Sequence, residues 1–98
     1  MAAHKAVSVT DSATRIVAKN LSRIMLKIYN NDATAIVFLG DDNTVTTSNG
    51  WPLGPKAAWS QTINVSQDAV RFFPRTAIFG IVASGTADVR VLEFDETT

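Results

Sequence analysis

Arg23-Ile-Met-Leu-Lys-Ile-Tyr-Asn30 decides the fold class. In an extended chain Ile24, Leu26 and Ile28 fall on one side, and Arg23, Met25, Lys27 and Tyr29 on the other, the period of two that marks a strand. Asn30-Asn-Asp32 ends the run, because Asn and Asp tolerate left-handed backbone and hydrogen-bond their own chain in turns. Upstream, Val7 and Val9 alternate with Ser8 and Thr10, and residues 14–19 form a second strand around Ile16 and Ala18. Downstream, residues 34–39 are continuously apolar, as a strand covered on both faces would be.

Turn chemistry punctuates the rest. Gly40-Asp-Asp-Asn43 and Ser48-Asn-Gly50 flank a short extended piece at residues 44–47. Trp51-Pro-Leu-Gly-Pro55 holds two prolines and is excluded as a central strand. It is expected to be a shaped loop in which Trp51 and Leu53 plug one end of the core. Alternation resumes over residues 58–65, with Trp59, Gln61, Ile63 and Val65 on one face. Residues 67–73 have the pattern of one helical turn, stopped by Pro74. Residues 77–83 and 87–94 are two apolar runs joined by Ser84-Gly-Thr86, which reads as a closing hairpin. About eight short strands predict an all-β chain, an antiparallel β-sandwich or jelly-roll-like barrel. Residues 1–98 form one domain, with residues 1–6 as an N-terminal arm and 95–98 as a polar tail.

Composition narrows function by exclusion. Nine Lys and Arg balance nine Asp and Glu, so the net charge is zero. Phosphate neutralisation supplies most nucleic-acid affinity, and no nucleic-acid partner is expected. Absence of cysteine removes disulfides, thiolate metal sites and thiol catalysis together. No apolar run is long enough for a signal peptide or a membrane span, so no membrane partner is expected and synthesis is assigned to a cytoplasm. Hydrophobic residues make up 46% of the chain and charged residues 18%. Such a surface loses little hydration when a partner arrives.

No constellation carries catalysis. His4 is the only histidine and lies near the terminus, where a mobile tail cannot hold a triad or a metal site. Asp41-Asp-Asn43 could begin a calcium loop, but no acidic partner follows at the required offset. Asp88, Glu93, Asp95 and Glu96 read as solvated carboxylates rather than a glycosidase pair. No catalytic residue, cofactor or metal is therefore expected. Two tryptophans, Trp51 and Trp59, leave a glycan-binding alternative open, in which buried rings exclude a sugar platform and coplanar exposed rings about 10 Å or more apart revive it. In phase with Ile63 and Val65, Trp59 is expected to face the core. Arg71-Phe-Phe-Pro-Arg75 has the aromatic-plus-arginine composition of interface hot spots.

Val45-Thr-Thr-Ser-Asn-Gly-Trp-Pro-Leu-Gly-Pro55, followed about thirty residues later by Ile81-Val-Ala-Ser-Gly-Thr-Ala-Asp-Val-Arg-Val-Leu-Glu93, resembles small β-sandwich proteins of tailed-bacteriophage virions. Over residues 23–94 the chain is similar to head decoration (cement) proteins, and similar domains occur in head fibres and tails. The resemblance implies a non-enzymatic structural protein on the capsid surface, bridging and stabilising major capsid protein subunits. It also implies a homo-oligomer, a trimer first. Contact residues are expected in the arm (Ala2, Ala3, His4, Lys5), in the loop (Arg71, Phe72, Phe73, Arg75) and at Phe94 and Asp95. The alternatives are a tail, neck or head-fibre component, and a carbohydrate-binding module for host attachment.

Overall fold

The structure, a computed structural model, describes residues 2–62 and 76–95. Eight strands are present: β1 (Ala2–Thr10), β2 (Thr14–Val17), β3 (Arg23–Asn30), β4 (Val37–Gly40), β5 (Trp51–Leu53), β6 (Ala58–Thr62), β7 (Ile78–Ile81) and β8 (Thr86–Asp95). They form two four-stranded sheets, ordered β1-β8-β3-β6 and β2-β7-β4-β5, with every ladder antiparallel. The pairs β1–β8, β2–β7, β3–β6 and β4–β5 are those of one long hairpin bent at β4–β5. Rolling it adds the β3–β8 and β4–β7 ladders and yields a jelly-roll sandwich. The fold class expected from alternation is therefore observed.

Between the sheets lies a dry aliphatic core. Val9, Leu26, Ile28, Val89 and Val91 of the first sheet meet Ile16, Val17, Val37, Leu39 and Leu53 of the second, all buried. Ile16 and Val17 are adjacent yet both buried, which alternation forbids. A register shift between Arg15 and Val17 supplies the extra residue that turns both inward.

Several local readings change. Residues 84–86 do not close a hairpin: β7 lies in the second sheet and β8 in the first. The link carries the chain over the end of the core, with Val82 and Ala87 buried on either side and the Val82 N–H donating to Thr10 O at 3.0 Å. Apolar runs around a Ser-Gly turn look alike in a hairpin and in a crossover; only the pairing partners differ. Gly85 at φ 70° allows the bend, and its side-chain position is open. Gly85→Ala is expected to lose about 1–2 kcal/mol from left-handed strain alone, read as a lower urea midpoint at unchanged m-value.

Residues 34–39 do not form one doubly covered strand. Pairing begins at Val37, where Val37 and Leu39 are buried and Phe38, on the outer face against the turn at Gly50, is half-buried. Trp51–Leu53 is a short edge strand, where a proline breaks no ladder on its free side. Residues 2–6, expected as an arm, instead belong to β1, paired from Ala2↔Phe94 to Thr10↔Thr86. Asp95 likewise ends β8 opposite Arg23 instead of opening a tail. The helical turn expected at residues 67–73 falls outside the described residues.

Arg23 is the largest departure. A register shift between Arg23 and Met25 makes Ile24 the extra residue of a bulge and turns Arg23 to the core side. Its side chain is fully buried, Nε donating to Glu93 Oε2 at 2.7 Å, Nη1 to Thr76 O at 2.9 Å and Nη2 to Ala18 O at 2.7 Å. At the other end of β3, buried Asn30 donates from Nδ2 to Ala35 O at 2.8 Å, Leu53 O at 3.0 Å and Gly54 O at 3.1 Å. Its Oδ1 accepts the Asp32 N–H at 3.0 Å. One polar clamp thus closes each end of the strand.

Candidate protein-binding face

Strand pairing gathers residues that are far apart in sequence. On the outer face of the first sheet, Phe94, Met25 and Thr62 share one row, with Ala2 paired to Phe94 in the ladder. His4, Leu92, Lys27 and Ser60 form the next, and Ala6, Arg90, Tyr29 and Ala58 the third. Phe94, Leu92, Met25 and Tyr29 are half-buried, each shielding its neighbours. Among the described residues no strand covers this face. The result is a mixed face in which Phe94, Leu92, Met25 and Tyr29 are the large apolar members and Lys27 and Arg90 the charged ones.

The expected contact residues divide. Ala2, His4 and Phe94 come together in the first two rows. Ala3 and Lys5, by alternation, lie on the opposite side of β1, opposite Glu93 and Val91. Asp95 turns towards the Arg23 clamp, where Asn20 Nδ2 lies 3.4 Å from Asp95 Oδ2. Arg71, Phe72, Phe73 and Arg75 lie outside the described residues. Met25, Tyr29 and Leu92 were not singled out from sequence. Their outward phase was visible in the alternation, but the rows they build depend on which strands pair.

Asp88 and Arg90 bound the patch. Arg90 donates from Nη2 to Asp88 Oδ2 at 2.7 Å, and Asn31 Nδ2 donates to the same oxygen at 3.0 Å. These bonds, Arg90 first, pull the Asp88 carboxyl down to about 2 from the usual 3.8. A lowered folded pKa means stability that is present above about pH 4 and lost as pH falls towards about 2. Asp88→Asn is expected to flatten that part of the acid unfolding curve, measured by circular dichroism between those pH values. Backbone N–H groups of Ala35 and Thr34 lower Asp32, and the Thr44 hydroxyl and N–H lower Asp42. Asp42 is thus spent on its own turn. Among the described residues no group of three His, Cys, Asp or Glu could hold a metal ion.

The second feature is an open cleft of about 510 Å³ where the edge strands β5 and β6 face each other across the two sheets. Leu39, Asp41, Trp51, Trp59, Gln61 and Ile78 line it. Trp59 is half-buried and packs on the core, in the phase its alternation indicated. Trp51 does not plug the core: it is 67% exposed, while Leu53 alone of the pair is buried. Two residues apart on one strand would place both on one face, but β5 is an edge lying against only one neighbour, and the inner position is filled by Leu53.

Comparison of the chain with protein-family models and with curated proteins returned no match.

Proposed function

We propose that this chain is a non-enzymatic decoration protein of a tailed-phage head, docking on the major capsid protein through the outer face of its first sheet and bridging adjacent subunits. One observation carries the reading: Phe94, Leu92, Met25 and Tyr29 stand in adjacent rows of a sheet face with no strand over it among the described residues. Apolar surface removed from water contributes about 25 cal/mol per Å². The motifs at residues 45–55 and 81–93 give the reading its viral setting. Jelly rolls recur in capsid and lectin domains, an analogy of fold that supports without deciding.

Size sets the mechanism. β8 has ten residues and the sheet four strands, so at about 3.4 Å per residue and 4.8 Å per strand the face covers roughly 500–600 Å². A standard interface takes about 800 Å² from each partner. A single copy is then a weak binder, and its hold on the shell grows when copies group around a local axis and bind together. A trimer is the simplest such group. Bound only to the closed shell, the copies stabilise it by mass action.

The test is re-addition of purified chain to shells lacking it. Leu92→Asp and Phe94→Asp each place a charge in the patch without touching the core. Each is expected to weaken shell binding at least about tenfold, with an unchanged circular dichroism spectrum. Binding by both variants at the wild-type level would overturn the proposal.

A further inference from the structure

Trp51 has no role in the core. It is 67% exposed, yet it is held in place from both sides. Gly50 N–H donates to Thr46 O at 2.9 Å, and a Cβ at Gly50 would come within 2.6 Å of Phe38 Cβ, so the turn sits directly on β4. Pro52 fixes the backbone on the other side. Within the turn, Asn49 Oδ1 accepts the Thr46 N–H at 2.7 Å, and Thr46 Oγ1 accepts the Ser48 and Asn49 N–H groups, each at 3.2 Å. A large aromatic ring is therefore presented to solvent on a pre-organised support.

Its surroundings complete a site. Trp51 and Trp59 line the same cleft, with Leu39 and Ile78 as apolar lining. Asp41 and Gln61 also line it, and among the described residues their side chains have no hydrogen-bond or ion-pair partner. By contrast, neighbouring Asp42 is fully engaged with Thr44. An uncommitted carboxylate and an uncommitted amide beside two indoles suit a ligand with apolar C–H faces and hydroxyl donors. The volume of about 510 Å³ falls in the range of small-molecule sites.

We infer that the Trp51–Trp59 cleft binds a neutral hexopyranose unit of a glycan, ring face against indole and hydroxyls on Asp41 and Gln61. Charge decides against acidic sugars and phosphates, since among the described residues that line the cleft Asp41 alone carries a charge. Room decides against a lone quaternary ammonium, whose compact head is enclosed by aromatic cages rather than by an open cleft. The site lies at the β5–β6 edge and faces the interior side of the first sheet, so it is independent of the outer-face patch. A protein docked by that patch still offers its cleft to a host surface.

The experiment is an NMR titration of the full chain, following the indole N–H resonances of its two tryptophans. Trp51→Phe assigns them. The probes are maltotriose, cellotriose and tri-N-acetylchitotriose at up to about 10 mM, enough to reveal a Kd near 1 mM, with choline as the cationic control. At least one saccharide is expected to shift both resonances saturably. Trp51→Ala is expected to weaken that binding at least about tenfold, and Asp41→Asn to weaken it as well, with melting temperatures unchanged because both side chains are exposed. Three results would overturn the inference: no shift with any saccharide, saccharide shifts of Trp59 that survive Trp51→Ala, or shifts with choline alone.

Discussion

Arg23→Ala is expected to destabilise the domain by about 3–5 kcal/mol, the cost of breaking a buried ion pair by removing one partner. The guanidinium is fully buried while the Glu93 side chain is 16% exposed, so the arginine is the dry member of the pair. Its loss leaves Glu93 with only the long Asn20 Nδ2 contact at 3.4 Å among the described residues, and takes from Ala18 O and Thr76 O the donors that now reach them at 2.7 and 2.9 Å. Those carbonyls belong to the segments following β2 and preceding β7, both of the second sheet, whereas Arg23 and Glu93 belong to the first. The clamp therefore ties the two sheets together, and its loss is felt by the whole fold. A small domain has roughly 5–15 kcal/mol to lose, so the urea midpoint should fall by about a fifth or more. Arg23→Lys should recover little, because an ammonium cannot reproduce a planar fork aimed at three acceptors. Recovery of the wild-type midpoint by lysine would mean that charge alone matters here.

Asn30→Ala is the second large effect, expected near 3 kcal/mol by urea unfolding. One amide donates to three carbonyls and accepts one N–H, so truncation takes this donor from Ala35 O, Leu53 O and Gly54 O, of which Gly54 O keeps the Ala57 N–H at 3.1 Å. The cost exceeds that of one hydrogen bond because the unpaired groups stay desolvated. Asn30→Asp sharpens the test. A carboxylate there would face three carbonyl oxygens, so the folded state favours the neutral acid and the pKa is raised. Stability of that variant should fall as pH rises above its unfolded value near 4. Asn30→Ala should show no such additional slope. If the two variants had parallel pH profiles, the amide would not be the donor to these carbonyls.

The two clamps also mark where the sequence stopped being legible. Alternation at residues 23–30 identifies a strand and puts Leu26 and Ile28 on one face, the one the core covers, because a period of two is local. It puts Arg23 on the face of Met25, Lys27 and Tyr29, since a single bulge residue, Ile24, inverts the phase and leaves no compositional mark. Asn30 read as a turn residue because Asn forms turns; its role as a buried donor exists only once Leu53 and Gly54 arrive from another strand. The same limit governs residues 84–86, where a crossover resembles a hairpin until β7 and β8 are assigned to different sheets. For the binding face, Phe94 was singled out on its own, whereas Met25, Leu92 and Tyr29 join it through ladder register. For the cleft, both tryptophans were visible and their shared lining with Asp41 and Gln61 was not.

The decoration proposal meets its most direct test in the copy number of this chain per particle, measured by quantitative mass spectrometry against the major capsid protein in purified virions. Decoration repeats with the symmetry of the shell, so the expected ratio is of order one per capsid subunit, or per small group of subunits. Only a handful of copies would place the chain at a neck or tail, and its absence from the particle would contradict the proposal outright.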